Sequence, residues 1–552
     1  MDLLTRFLSL FKLPLTALTI LRTLYNEYSS LLAQAKSPPG IPVPNPTRAF
    51  WQDAPPYPEL VDIHTATGPP ETADIAIIGS GITAAAIART ILRELERKGV
   101  LNGAGGGAKT EATGTRRGWV RVLVLEARQL CSGATGRNGG HIKSSPHELF
   151  HRLVHNSKMK PERAAKLCEV QTSHVQMIRE VVQAEGIEEI SEFREVQSLD
   201  LVVDEAVDTK MKDMMAEFTP YQPAGYKMVG HSGEEARKLF GTTEHVVGAV
   251  EYPAGALWPY RFVTALWRRL LDQFPRDLSI ETGTAVSAVE AGQNPGFPYT
   301  LTTSRGQVQA RHVVHATNGL ASHLLPAFRG KAAGALCHMT AQRPGKDFPD
   351  NNGKQSWSVI YNQGFDYITQ RANMPNGEGG ELMIGGGLFQ SGKQGMDMIG
   401  VYDDSKTDAL TLMHLEGVMP TVFNWGPESS GRRVIRAWSG IVGFSGDMLP
   451  LVGRLDTRIT KRKIKSQGKT NSKGDGVSPG EWIAAYFCGD GMVWAWLCGT
   501  AVGLMLSGSD QEDLPKEPGR PAGRLADWFP SELEASWGRV QGMDIADLAD
   551  EL

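Results

Sequence analysis

The chain has 552 residues, 41% hydrophobic and 21% charged, a globular balance in a chain too long for one common domain. Its 57 basic and 61 acidic side chains leave a net charge of −4, which excludes a broad basic field for nucleic acid. Five cysteines (Cys131, Cys168, Cys337, Cys488 and Cys498) show no paired spacing, so reduced thiols are expected rather than a disulfide framework.

Residues 1–70 read as an apolar helix followed by a proline-rich arm, SPPGIPVPNP and then APPYP. Arg6 and Lys12 interrupt the apolar run, Pro14 is expected to break it, and its clean part, 13–21, falls short of the roughly 20 residues that span a bilayer. The expectation is a helix packed on the body, with weak membrane-surface contact as the alternative and no transmembrane segment. A cytoplasmic location is expected.

DIAIIG (74–79) reads as a buried strand, and ITAAAIARTILRELERKG as the helix after it, ending at Gly99. Residues 102–118 are polar and low in complexity, and read as a disordered surface loop. RVLVLEA (121–127) is a second buried strand, 146–186 is helical, 280–316 is sheet-like, and 357–387 is rich in strands. A lysine-bearing insertion fills 457–480 and lacks the interleaved aromatics of a nucleic-acid site. From Gly491 to Leu506 an uncharged run predicts a helix buried on all sides.

The strongest motif is Gly79-Ser80-Gly81-Ile82-Thr83-Ala84, between predicted strand and predicted helix. Gly79 permits a tight turn, Gly81 lets backbone approach a pyrophosphate, and Ala84 lets the helix pack close to the strand. The helix N-terminus then offers free N–H groups and a positive dipole end to phosphates. Glu126 ends the next strand, where a carboxylate can accept ribose hydroxyls. A second glycine-rich loop, Cys131 to His141, suits backbone pressed against a flat ligand, with Arg137 and Asn138 as donors. Ala316-Thr317-Asn318-Gly319 and Gly489-Asp490-Gly491-Met492 are third and fourth candidate cofactor turns.

These four motifs together resemble the FAD-dependent D-amino-acid oxidase/glycine oxidase superfamily over residues 70 to 508. GATGRNGGH is similar to the fungal branch that includes γ-glutamylputrescine oxidoreductase. The resemblance implies an α/β fold: a discontinuous Rossmann-like FAD-binding domain with an inserted α+β substrate cap. The expected divisions are an N-terminal helix and arm at 1–70, cofactor-domain parts at 71–150, 256–330 and 431–510, cap segments at 151–255 and 331–430, and a tail at 511–552.

By the same resemblance, Gly79, Ser80, Gly81 and Thr83 hold the pyrophosphate, while Glu126 and Ala127 meet the adenosine ribose. Ser132, Thr135, Arg137, Asn138 and Gly139 line the flavin. Val286 meets adenine, Ala316 and Thr317 approach the cofactor, and Asp447, Gly491, Met492 and Val493 close over the ring. Tyr361, Tyr367, Gln370 and Trp438 are candidates for the substrate wall. Gly440 and Met383 stand where the sarcosine-oxidase branch has its tethering cysteine and its oxygen-activating lysine, and Asp490 stands where relatives often have histidine.

The expected activity is FAD-dependent oxidation of a C–N bond in an amine or amino-acid-like molecule, with O2 as acceptor. The alternatives are oxidation of C–C or C–O bonds in secondary metabolism, and a non-catalytic FAD-binding scaffold. No metal is expected. His147, His151 and His155 share a helical spacing, but no carboxylate near them in sequence completes a ligand set.

Overall fold

The computed structural model describes residues 3–101, 120–374, 377–428, 431–464 and 477–548. The predicted loop at 102–118 lies outside them, as does the middle half of the insertion at 457–480, residues 465–476. The ends of that insertion are ordered: Thr457–Thr460 is a short helix capped by Asp456, with Ile459 buried.

Two sheets organise the chain. The first runs, in spatial order, Leu451–Arg454, Gly480–Ala485, Gly306–His315, Thr72–Ile78, Val122–Leu125 and Leu278–Glu281. The last five are mutually parallel. Parallel strands are covered on both faces, which is why VLVL at 122–125 is apolar at every position and fully buried. The helix Ile82–Arg97 returns from the first strand and packs against Ala495–Ser507. These two approach closely because Gly499 has no side chain: a Cβ there would meet the Thr83 carbonyl oxygen at 2.7 Å.

The second sheet runs Val434–Ser445, Ala332–Gln342, Leu382–Gly386, Gly364–Gln370, Gln355–Tyr361, Arg194–Val202, Gly248–Ala256 and His141–Ile142. The sequence reading put 434–445 and 141–142 in the cofactor domain. Pairing of Val434–Ser445 with Ala332–Gln342, and of His141–Ile142 with Gly248–Ala256, places both in the second sheet instead. Long-range strand pairing leaves no local mark in a sequence, so this crossing of the boundary was not legible.

Side chains of the second sheet alternate with period two. Leu199, Leu201, Trp357, Val359 and Ile368 form a core with Leu415, Met419 and Val422 of the helix Ala409–Val422. Ser198, Asp200, Ser356, Ser358 and Thr369 occupy the alternate positions and are also buried. A buried polar face is costly unless its groups are satisfied or used.

The first helix spans Leu3–Ala35 and runs through Pro14 rather than ending there. A proline removes one intrahelical hydrogen bond and is tolerated where the rest of a long helix persists. The helix meets the body at its C-terminal end, where Gln34 donates to the Ile399 carbonyl at 2.7 Å. Farther out, Leu18, Leu21, Tyr25 and Tyr28 are exposed, so the contact with the body expected from the sequence is made at the C-terminal end of the helix. Among the described residues no helix is long and apolar enough to cross a membrane.

The predicted helix 146–186 is two helices, Pro146–His155 and Pro161–Glu185, each opening on a proline that fits the first turn. The described part of the tail, 511–548, packs on the body with Leu525, Leu533 and Val540 buried.

Candidate active site

A cleft lies between the sheets. Ile78, Gly79, Ser80, Gly81, Thr83, Glu126, Ala127, Thr135, Arg137, Asn138, Val286, Ala316, Thr317, Gly491 and Met492 all contribute to its lining. Its empty volume, open mouth included, is about 1750 Å³. Gly79 sits at φ +107°, and a Cβ there would lie 2.6 Å from the Ala316 carbonyl oxygen. At Gly81 a Cβ would lie 2.8 Å from Thr135 Oγ1, the oxygen that accepts the Ile82 N–H at 3.0 Å. The floor of the cleft is thus bare backbone at the start of a helix.

Glu126 is held in place by its neighbours. Its Oε2 accepts from the Ser80 hydroxyl at 2.6 Å and the Ser80 N–H at 3.2 Å, and its Oε1 accepts from the Arg128 N–H at 3.0 Å. The two motifs that sequence places 46 residues apart are therefore one hydrogen-bonded unit.

Arg137 and Asn138 line the cleft, yet their donors serve the protein. Arg137 donates to the carbonyls of Ser132 (3.0 Å), Ser439 (2.7 Å) and Thr47. Burial lowers its guanidinium to about 10, against the opposing charge of Asp404. Asn138 donates to the Thr135 carbonyl at 3.1 Å and accepts the Gly140 N–H at 2.7 Å, which shapes the loop. Gly139 packs under Tyr367: a Cβ there would meet the ring at 2.7 Å.

Several expected site residues lie elsewhere. Asp447 does not line the cleft; both its oxygens accept from Arg539, at 2.7 and 3.0 Å. Val493 and Ala84 are buried packing residues. Of the candidate wall, Tyr367 lines the cleft with Cys337 and Met339. Trp438 is fully buried and donates to the Arg137 carbonyl at 2.7 Å. Gln370 is buried beside the Gly380 carbonyl, and Tyr361 faces His414 at the far side of the sheet. Aromatic identity alone could not tell a wall from a core.

Buried, unpartnered polar atoms test whether an FAD-sized ligand suits the cleft. Thr317 Oγ1 and His323 Nε2 are buried on cleft-lining residues with no hydrogen-bond partner, as is Ser132 Oγ in the adjoining loop. Native folds leave few such groups, so these atoms fit a polar ligand. Together with the backbone floor and the Glu126 carboxylate, they fit a dinucleotide.

The proline-rich arm forms part of the site, which the sequence did not reveal. Gly40, Ile41 and Pro42 line the cleft. Thr47 Oγ1 accepts the Ser439 N–H at 2.9 Å and the Arg137 guanidinium at 3.1 Å, and Arg128 reaches the Val43 carbonyl at 3.3 Å. Proline content signals extended backbone but not what that backbone covers.

Beside the cleft stands a set of ionisable groups of which the sequence singled out only Asp490. Asp490 lies between Gly489 and Gly491, both lining residues, and is itself accessible. Gln171 Nε2 donates to its Oδ2 at 3.2 Å. Lys143 Nζ lies 2.7 Å from Asp200 Oδ1 and 2.7 Å from Ser358 Oγ on the polar face of the second sheet, and the Tyr252 hydroxyl donates to Asp200 Oδ2. Burial raises Asp490 to about 6; burial and then Asp200 raise Glu148 to about 7.

The three histidines do not share one surface. His147 is fully buried. Glu217, from the helix Glu205–Phe218, joins His151 at 2.8 Å and His155 at 2.7 Å, supplying a carboxylate from outside the local sequence. These three could together hold a metal ion.

The family model described as "FAD dependent oxidoreductase", DAO, matches residues 74–503. No curated protein sequence matches the chain. Among solved structures, glycine oxidase from Geobacillus kaustophilus is similar, with a TM-score of 0.56 at 16% identity, over 83% of this chain and 98% of that one. L-Amino acid deaminase from Proteus myxofaciens, in complex with anthranilate, has a TM-score of 0.56 at 14% identity, over 88% and 97% of the two chains. NikD, described as an unusual amino acid oxidase essential for nikkomycin biosynthesis, has a TM-score of 0.53 at 13% identity, over 82% and 98%. At these identities the likeness shows the fold.

Proposed function

The chain belongs to the DAO family of FAD dependent oxidoreductases, and on that premise we propose that it oxidises a carbon–nitrogen bond of an amine or amino-acid-like small molecule, with dioxygen as the final acceptor. FAD, when bound, supplies the two-electron acceptor for such an oxidation. Gly79, Ser80, Gly81 and Thr83 would hold its pyrophosphate, Glu126 and Ala127 its ribose, and Val286 its adenine. Ser132, Thr135 and Thr317 offer hydroxyls to its polar edges.

One observation supports the reading most directly. The nucleotide turn at 79–83, the sheet residues Cys337, Met339 and Tyr367, and Gly489, Gly491 and Met492 all line the same cleft. A cofactor held on this floor would be roofed by Cys337, Met339 and Tyr367 of the second sheet. The apolar faces of Met339 and Tyr367 exclude water there, which strengthens electrostatic interactions with a substrate. Burial holds the Tyr367 phenol and the Cys337 thiol protonated at neutral pH.

The test is anaerobic addition of amines and amino acids to the purified holoenzyme, followed by exposure to air. Bleaching of the flavin absorbance and then peroxide release are the expected results. A flavin that no amine or amino acid reduces, but an alcohol or a C–C substrate does, would overturn the assignment.

A further inference from the structure

We infer that Asp490 is the group that receives the substrate's nitrogen, taking a proton from a cationic amine that carries no carboxylate beside that nitrogen. This rests on the amine-oxidation reading above and names its substrate class and its proton acceptor.

The geometry has three parts. Asp490 lies between two cleft-lining glycines, Gly489 and Gly491, without itself being among the lining residues, and it is exposed although protein surrounds it. Gln171 is 1% exposed and its amide is aimed at this carboxylate; Nε2 donates to Oδ2 at 3.2 Å while Oε1 has no partner. A substrate N–H can reach the exposed Asp490 carboxylate, which Gln171 holds from the buried side. Finally, the charged groups around the site do not favour a carboxylate ligand. Lys143, after the strand His141–Ile142, is already engaged by Asp200 and Ser358. Arg152, on the helix Pro146–His155, has its Nη2 within 3.3 Å of the Met448 carbonyl. Three acids (Asp490, Glu148 and Asp200) stand against these two bases.

The electrostatics agree. Asp490 faces Gln171 from the helix Pro161–Glu185, Arg152 and Glu148 from the helix Pro146–His155, and Lys143 from the second sheet. Burial outweighs the nearby cations and raises its carboxyl. A carboxyl raised by its surroundings is a stronger proton acceptor once ionised, and a cation arriving beside it favours the ionised form that can accept.

The chemical step is a proton transfer. A substrate ammonium N–H breaks, an Asp490 Oδ–H forms, and the nitrogen keeps its electron pair; nothing is oxidised or reduced. The product is a neutral amine, whose lone pair can assist loss of hydride from the adjacent carbon. An amine that arrives protonated at neutral pH needs such an acceptor before oxidation.

The experiment is anaerobic flavin reduction by stopped flow in the FAD-loaded protein, across pH 5 to 9. The probes are n-butylamine, 1,4-diaminobutane, glycine and N-methylglycine. Wild type, Asp490→Asn and Asp490→Glu are compared at equal flavin content. In wild type the two carboxylate-free amines are expected to reduce the flavin at least tenfold faster than the two amino acids. The rate at limiting amine should rise with pH through an apparent pKa near that of the raised carboxyl. Asp490→Asn is expected to lose at least 100-fold together with that acid limb, and Asp490→Glu to keep the limb. Asn at normal flavin content with the limb intact would overturn the assignment of the proton acceptor. Faster reduction by glycine or N-methylglycine would overturn the substrate class. A wild-type flavin that none of the four probes reduces would remove the amine reading and this inference with it.

Discussion

Replacing Gly79 with alanine tests the floor of the cleft directly. The position sits at φ +107°, where a side chain is strained by about 1–3 kcal/mol. The added Cβ would also lie 2.6 Å from the Ala316 carbonyl oxygen, a backbone atom with no rotamer to change. Relieving such an overlap costs about 1–3 kcal/mol more. The Ala316 turn is itself cleft lining, so its displacement deforms the cofactor surface. If the combined cost, about 2–6 kcal/mol, falls on the bound state, FAD affinity drops by at least about 30-fold, at 1.4 kcal/mol per tenfold. The assay is fluorescence titration of apoprotein with FAD, alongside flavin content as purified and a melting curve. Gly133→Ala is the control: Gly133 lines the same cleft, and its Cβ would meet nothing within 4 Å. Gly79→Ala with a Kd within threefold of wild type would refute the placement of the nucleotide on this turn.

Thr47→Val removes the oxygen that accepts the Ser439 N–H and the Arg137 guanidinium; a loss of about 1–3 kcal/mol in stability and faster FAD release are expected, read from melting and cofactor dissociation. Arg371→Ala leaves the buried Glu192 carboxylate without its bidentate partner, bonded at 2.8 and 3.1 Å; a loss of about 3–5 kcal/mol is expected in denaturant unfolding. Burial lowers His174 to about 4, so its folded form binds a proton less readily than its unfolded form. Its contribution to stability is full above the unfolded value of about 6.5 and falls with pH, by up to about 1.4 kcal/mol per unit, down to the folded value. His174→Gln should flatten the pH dependence of unfolding over that window; an unchanged slope would show that His174 is not buried neutral.

The nucleotide half of the site was legible because its signal is local. A strand, two glycines, a small residue and a helix follow one another within a few residues, and each is required by the turn it makes. Glu126 was legible from its place at the end of the next strand, although the hydrogen bonds tying it to Ser80 were not. The substrate side was not legible in the same way. Its roof alternates buried polar and buried apolar side chains, and a sequence shows alternation without saying which face is wet. Trp438 and Tyr367 are both aromatic residues of the second sheet, yet one is packed under Arg137 and the other lines the cleft. Asp447 and Asp490 are both acidic residues near the third stretch of the cofactor domain. Arg539, from a tail outside the family resemblance, claims the first. Glu217 shows the same limit, since only the packing of two helices brings it to His151 and His155.

The arm at 40–47 gives the cleft a wall that the rest of the chain does not supply. Gly40, Ile41 and Pro42 line the cleft, and the arm is fastened by hydrogen bonds to Arg128, Arg137 and Ser439. An arm fastened in this way couples the hold on FAD to contacts made away from the nucleotide turn, so loosening Thr47 or the Arg128 contact should free one wall and quicken exchange through the open mouth.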